Sequence, residues 1–218
     1  MASKMKPQTS DLPDESNRGT HVPLAGNTET GGRRVDPPGQ VDNEHSHRPD
    51  TPPGLAGEDG DDAAAQTLSG TTESESLFGG AGSDSLSGGD GDDTLAGGGG
   101  ADSLNGGAGA DQFQVAGTAP TADGLDHVFD FTHAEDHLLF AGGVAATDAN
   151  FATATATDYA AAQEAALQAV NGGAAYVAVQ VGLDVIVFAN TDGDPATLDA
   201  AVVLVGKTLS DIVPTDFG

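Results

Sequence analysis

GGAGSDSLS (Gly79–Ser87), GGDGDDTLA (Gly88–Ala96), GGGGADSLN (Gly97–Asn105) and GGAGADQFQ (Gly106–Gln114) follow one another with no slip in register. Every copy has Gly at its first, second and fourth positions and Asp at its sixth: Asp84, Asp93, Asp102 and Asp111. The eighth position is large and apolar: Leu86, Leu95, Leu104 and Phe113. The glycines let the backbone turn through positive φ and present its carbonyls without a steric cost. Each Asp adds a hard anionic oxygen, the ligand type that Ca²⁺ collects from roughly six to eight donors. The three residues after each Asp put one apolar side chain on one face, as a short strand does. A nine-residue unit cannot bury that face alone, so the units must stack. A flexible Gly/Ser/Asp linker is the alternative, and four perfect copies with a periodic Leu or Phe argue against it.

This GGxGxDxUx pattern resembles the repeat of RTX proteins exported by type I secretion. The resemblance implies a mainly β fold: a right-handed parallel β-roll with two repeats per turn and Ca²⁺ held between turns. It also implies a ligand set. One loop supplies carbonyls from its first and third residues plus its Asp; the loop eighteen residues on supplies carbonyls from its second and fourth plus its Asp. One expected site is therefore Gly79, Ala81 and Asp84 with Gly98, Gly100 and Asp102. The second is Gly88, Asp90 and Asp93 with Gly107, Gly109 and Asp111. A preceding unit, GTTESESLF (Gly70–Phe78), carries Glu75 where the Asp belongs, so Gly70, Thr72 and Glu75 with Gly89, Gly91 and Asp93 form a weaker third set.

Charge restricts partners. The chain of 218 residues has 34 acidic and 7 basic side chains, a net of −27. Such a chain repels nucleic-acid phosphates and anionic membrane surfaces, and repels itself when compact unless cations neutralise it. It has no Cys, which excludes disulfides and thiolate metal sites. No apolar run reaches the roughly 20 residues of a transmembrane helix, and MASKMKPQTSDLPDE has no apolar signal-peptide core, so export is expected by another route.

Residues 1–65 hold eight of the eleven prolines and no aromatic residue, and are expected to be disordered. Their His21, His45 and His47 are read as ordinary polar residues rather than a metal site. The roll is expected over 66–117, and 118–218 as a cap, a small α/β unit and a type I export signal. In the cap, Asp126, Val128, Asp130, Phe131, Asp136, Leu138 and Phe140 resemble the D-x-I-x-D-F … D-x-I-x-L segment that closes such rolls. Asp126 and Asp130 are weak further candidates for calcium. Alternation at Val128/Asp130 and Leu138/Phe140 predicts short strands. Thr157 or Asp158 is positioned to cap a helix through Val170 that stops at Asn171-Gly172. Strands are predicted at Ala174–Gln180, Asp184–Asn190 and Ala200–Val205, the first two as a hairpin. Asn190–Asp199 mimics the start of an EF-hand loop but has Pro195 in place of its Gly and Ala201 at its Glu position, and reads as a polar turn.

His133-Ala-Glu-Asp-His137 spaces two histidines as zinc proteases do, with its Glu at the wrong position for a base. No catalytic residue or organic cofactor is assigned. Three functions remain open. The first is a secreted calcium-folded protein of Gram-negative origin with a surface, matrix or adhesion role, its ligand on a cell surface or a polysaccharide. The second is a secreted hydrolase, or a remnant of one, with its site in the C-terminal block. The third is a cassette whose only activity is being exported. In each, the implied export partners are an ABC transporter, an adaptor and an outer-membrane channel.

Overall fold

The computed structural model describes residues 64–117 and 119–217. The expectation of N-terminal disorder and the His21, His45 and His47 set lie outside the described residues, apart from Ala64 and Ala65.

Strands alternate between two walls. β1 (Thr67–Ser69), β3 (Ser85–Asp90) and β5 (Ser103–Ala108) pair in parallel on one; β2 (Ser76–Gly80), β4 (Thr94–Gly98) and β6 (Gln112–Val115) pair in parallel on the other. The registers are Leu68↔Leu86↔Leu104 and Leu77↔Leu95↔Phe113. This is the expected β-roll, with Leu86 and Leu104 on one wall and Leu95 and Phe113 on the other. Its interior is one column of side chains per wall, all at most 1% exposed from Leu86 to Phe113.

The cap continues both walls. β7 (Asp126–Val128) pairs with β5 and β8 (His137–Phe140) with β6, so Val128 and Leu138 take the next core positions. Phe131 closes the end with its ring centroid 6.4 Å from that of Phe113.

α1 (Tyr159–Asn171) starts on Asp158, whose side chain accepts from Ala161 N, and ends at Gly172, as expected. β10 (Tyr176–Val181) and β11 (Asp184–Ala189) form the antiparallel hairpin, and β12 (Ala200–Leu204) is the third strand. One strand has no counterpart in the sequence reading: β9 (Phe151–Ala156) pairs in parallel with β10. After Phe151 its sequence, ATATA, alternates only between small side chains, so the period of two carries little hydropathy contrast.

These strands extend the roll. β12 pairs in parallel with β7, making a single eight-stranded sheet in the order β1-β3-β5-β7-β12-β11-β10-β9 beside the four-stranded β2-β4-β6-β8. One hydrophobic cluster therefore runs from Leu77 through the cap to Val202 and Phe217, while α1 covers the opposite face over Val177, Val179 and Phe188. Phe217 bridges to Leu138 and stacks on Tyr176 at 5.1 Å. No helix among the described residues is long and apolar enough to cross a membrane.

Candidate metal centre

The loops between walls stack as closely as the strands. Gly89, Gly91, Gly98, Gly100, Gly107 and Gly109 all have positive φ, from 101° to 139°. A Cβ on Gly98 or Gly100 would strike the carbonyl oxygen of Gly80 or Gly82 one turn earlier. Gly107 and Gly109 lie in the same way over Gly89 and Gly91. The stacking brings together the two loops of each expected site: Gly79, Ala81 and Asp84 against Gly98, Gly100 and Asp102; Gly88, Asp90 and Asp93 against Gly107, Gly109 and Asp111. The weaker set is assembled too, with Gly89 over the Thr71 carbonyl, Gly91 over that of Glu73, and Asp90 N donating to Thr71 O at 3.0 Å.

The acids form two ladders. In the first, Gln66 N donates to Asp84 Oδ1 at 2.7 Å, Asp84 N to Asp102 Oδ1 at 2.7 Å, and Asp102 N to Asp126 Oδ1 at 3.1 Å. In the second, Glu75 N donates to Asp93 Oδ1 at 2.8 Å, Asp93 N to Asp111 Oδ1 at 2.9 Å, and Asp111 N to Asp136 Oδ1 at 2.9 Å. Each bond holds one carboxylate oxygen against the turn before. The second oxygens, Oδ2 of Asp84, Asp93 and Asp102, are buried with no hydrogen-bond partner.

They face other acceptors. The point where Gly79 would carry a Cβ has both Asp84 Oδ2 and the Gly97 carbonyl oxygen within 3.0 Å. The equivalent point at Gly88 has Asp93 Oδ2 and the Gly106 carbonyl, and that at Gly70 has Glu75 Oε2 and the Gly88 carbonyl. Gly70, Gly79 and Gly88 thus each sit in a cradle of oxygens that a methyl group would fill. Buried acceptors without donors cost free energy, and a cation is the partner that would satisfy a carboxylate and a carbonyl together. Among the described residues no three His, Asp or Glu side chains converge on a common point. A cation here must draw on carboxylate pairs and backbone carbonyls, an all-oxygen set that suits Ca²⁺.

Proton affinities carry the same strain. Burial raises Asp93, Asp102 and Asp136 above the ordinary carboxyl range, with smaller contributions from neighbouring charges. Burial, and then the charges of Asp136, Asp93 and Asp130, push Asp111 up to about 6. Burial followed by the charge of Asp102 pushes Asp126 up to about 7. Glu75 moves the other way, because the Thr71 hydroxyl and then the Thr71 amide bond its carboxylate.

The cap acids divide. Asp126 lies in the first ladder. Asp130 stands outside both, its two oxygens taken by Gly106 N at 3.0 Å and Gly107 N at 2.7 Å, so it clamps the last loop's backbone. Asp136 joins the second ladder and also accepts from Thr132 N at 2.7 Å. Sequence reasoning named Asp136 only as a cap residue, and did not name Gln66, Gly97 or Gly106. Gln66 is exposed by counting eighteen residues back from Asp84. Asp136 is not, because the cap spacings of 24 and 25 residues break the period. His133 and His137 do not form a zinc pair: His133 is in a turn with its Nδ1 2.8 Å from Asp216 Oδ1, and His137 opens β8. The 190–199 loop folds on itself through Asn190, Asp192, Asp194 and Asp199, as a polar turn does.

Residues 69–104 and 78–113 match the family described as the RTX calcium-binding nonapeptide repeat, in four copies. The nonapeptides are RTX repeats, and calcium is their ion. No curated protein sequence matches the chain. Among solved structures, the AlgE6R3 subunit of a mannuronan C5-epimerase from Azotobacter vinelandii is similar with a TM-score of 0.50 at 24% identity, covering 77% of this chain and 86% of that one. The AlgE6R2 subunit of the same enzyme gives a TM-score of 0.38 at 23% identity, over 69% and 90%. The extracellular lipase LipA of Serratia marcescens gives 0.37 at 23%, over 67% of this chain and 19% of the lipase. At these identities the likeness to AlgE6R3 is one of fold, and the fold is the β-roll.

Proposed function

We propose that this is a secreted, calcium-folded RTX protein with a non-catalytic surface, matrix or adhesion role, exported through a type I ABC transporter, adaptor and outer-membrane channel of a Gram-negative bacterium. The observation that carries the reading is the cradle present once in each ladder, where a buried unpartnered carboxylate oxygen, Asp84 Oδ2 or Asp93 Oδ2, shares a space with the Gly97 or Gly106 carbonyl. Ca²⁺ is held by Gly79, Ala81 and Asp84 with Gly98, Gly100 and Asp102, and by Gly88, Asp90 and Asp93 with Gly107, Gly109 and Asp111. Gly97 and Gly106 offer further carbonyls, Glu75 a weaker acid above Asp93, and Asp126 a rung below Asp102.

Without cations these acids oppose the compact state, and the glycine loops favour an open chain. Extracellular calcium modules have dissociation constants of roughly 10⁻⁴–10⁻³ M, far above free cytosolic calcium. The chain therefore stays threadable inside the cell. Outside, at about ten times the dissociation constant, each site contributes about 1.4 kcal/mol, and two or three sites tip a marginal fold.

The test is secretion together with calcium-titrated circular dichroism of the full chain. The expected result is folding by calcium with a much weaker response to equal magnesium, and loss of export when the last ~50 residues, longer than any one strand or helix of the block, are removed. Equal folding in chelator, or export unchanged by that truncation, would refute the corresponding half of the proposal.

A further inference from the structure

Gln66 occupies the ladder position one turn above Asp84. Its backbone N–H makes the same 2.7 Å bond to Asp84 Oδ1 that Asp84 N makes to Asp102 Oδ1. Its side chain does the opposite of theirs. In the turns below, Asp84 Oδ2 confronts the Gly97 carbonyl and Asp93 Oδ2 confronts the Gly106 carbonyl, acceptor against acceptor. At the equivalent place in the first turn, Gln66 Nε2 donates to the Gly79 carbonyl at 2.9 Å. The amide N–H gives that oxygen a donor on one side and brings no charge that needs an ion, while the carbonyl's second lone pair remains for the first site. The second ladder differs at this end: Glu75 Oε2 keeps an acceptor facing the Gly88 carbonyl.

We infer that Gln66 terminates the cation ladder, its side-chain amide standing in for the carboxylate-plus-calcium pair and thereby limiting how many ions the first column takes up. The inference rests on the calcium reading above and specifies the regulation of that site. It has a thermodynamic consequence. The Gln66 rung itself takes up no ion, so its pairing with the next turn is the contact of the first column least dependent on calcium.

Gln66→Glu tests this, because it exchanges only the amide nitrogen for oxygen and recreates the acceptor pair. The measurement is the slope of ln K for folding against ln[Ca²⁺] by circular dichroism at fixed ionic strength, which counts ions taken up on folding. Relative to the wild-type chain, Gln66→Glu should raise the slope by about one ion and require more calcium at the midpoint. Gln66→Ala removes the donor but adds no acid: its slope should match wild type while its folding constant at fixed calcium falls about fivefold, the worth of one net hydrogen bond. A Gln66→Glu slope equal to wild type, with wild type itself calcium-dependent, would overturn the inference and leave the calcium reading standing. A wild-type slope of zero would remove both.

Discussion

Asp93→Asn should stabilise the roll in chelator and destabilise it in calcium. Asp93 is buried, its Oδ1 accepts from Glu75 N at 2.8 Å, and its unpartnered Oδ2 faces the Gly106 carbonyl. An Asn that keeps the first bond places its Nδ2 against that carbonyl, copying the Gln66 arrangement, and gains about 1 kcal/mol of net hydrogen bonding. It also deletes a buried charge between Glu75 and Asp111, whose carboxyl is pushed up to about 6 partly by Asp93. That relief comes after burial and Asp136 in size, so a few tenths of a kcal/mol is its order. The calcium-free fold should therefore gain about 1–2 kcal/mol. In saturating calcium, at about a hundred times the dissociation constant, a site is worth about 2.7 kcal/mol. Asp93 serves the second site and the weaker third, so the loss is roughly 2.7–5.4 kcal/mol, which exceeds that gain, and the calcium midpoint rises. Thermal and osmolyte-driven folding curves of both proteins, followed by circular dichroism in chelator and in saturating calcium, give the two signs directly. Destabilisation of equal size in both conditions would refute the acceptor-against-acceptor reasoning, since it would mean that Asp93 acts through packing alone.

In chelator the fold should be favoured by acid. Asp93, Asp102, Asp111, Asp126 and Asp136 all have raised folded-state proton affinities, so their contribution is fully present below the ordinary carboxyl range. It is lost as pH rises through about 6 and about 7, the positions of Asp111 and Asp126; calcium-free folded content that rises with pH over this window would contradict it. Leu95→Ala should cost about 2–5 kcal/mol, because Leu95 is 0% exposed between Leu77 and Phe113; denaturant melts in saturating calcium measure it, and a loss below 1 kcal/mol would mean that the column can collapse around the gap. Gly98→Ala should abolish calcium-induced folding, since φ is +101° there and the Cβ would meet the Gly80 carbonyl; a wild-type calcium midpoint in this variant would show that the loops do not stack this tightly.

The repeats were legible as sequence because each residue type in them answers a local demand. Positive φ requires Gly, a two-walled core one side chain thick requires an apolar residue every nine positions, and hard-cation chemistry requires Asp. The helix from Asp158 and the hairpin around Gly182 were readable for the same reason, since a cap and a turn leave their marks within a few residues. The tertiary structure decided what depends on partners far away in the chain. β9 has little hydropathy contrast and is a strand because β10 pairs with it. The pairing of β12 with β7 joins the C-terminal strands to the roll's own wall. Asp126 and Asp136 reach the ladders across spacings of 24 and 25 residues that no period announces, while Asp130, four residues from Asp126, turns to two backbone amides instead. The period of eighteen places Gln66 in the ladder, but the bond from its amide to the Gly79 carbonyl exists only once the next turn is in place. A repeat encodes its own conformation, but the ends of a stack are set by whichever groups happen to satisfy the last open hydrogen bonds, and that is a property of the folded chain.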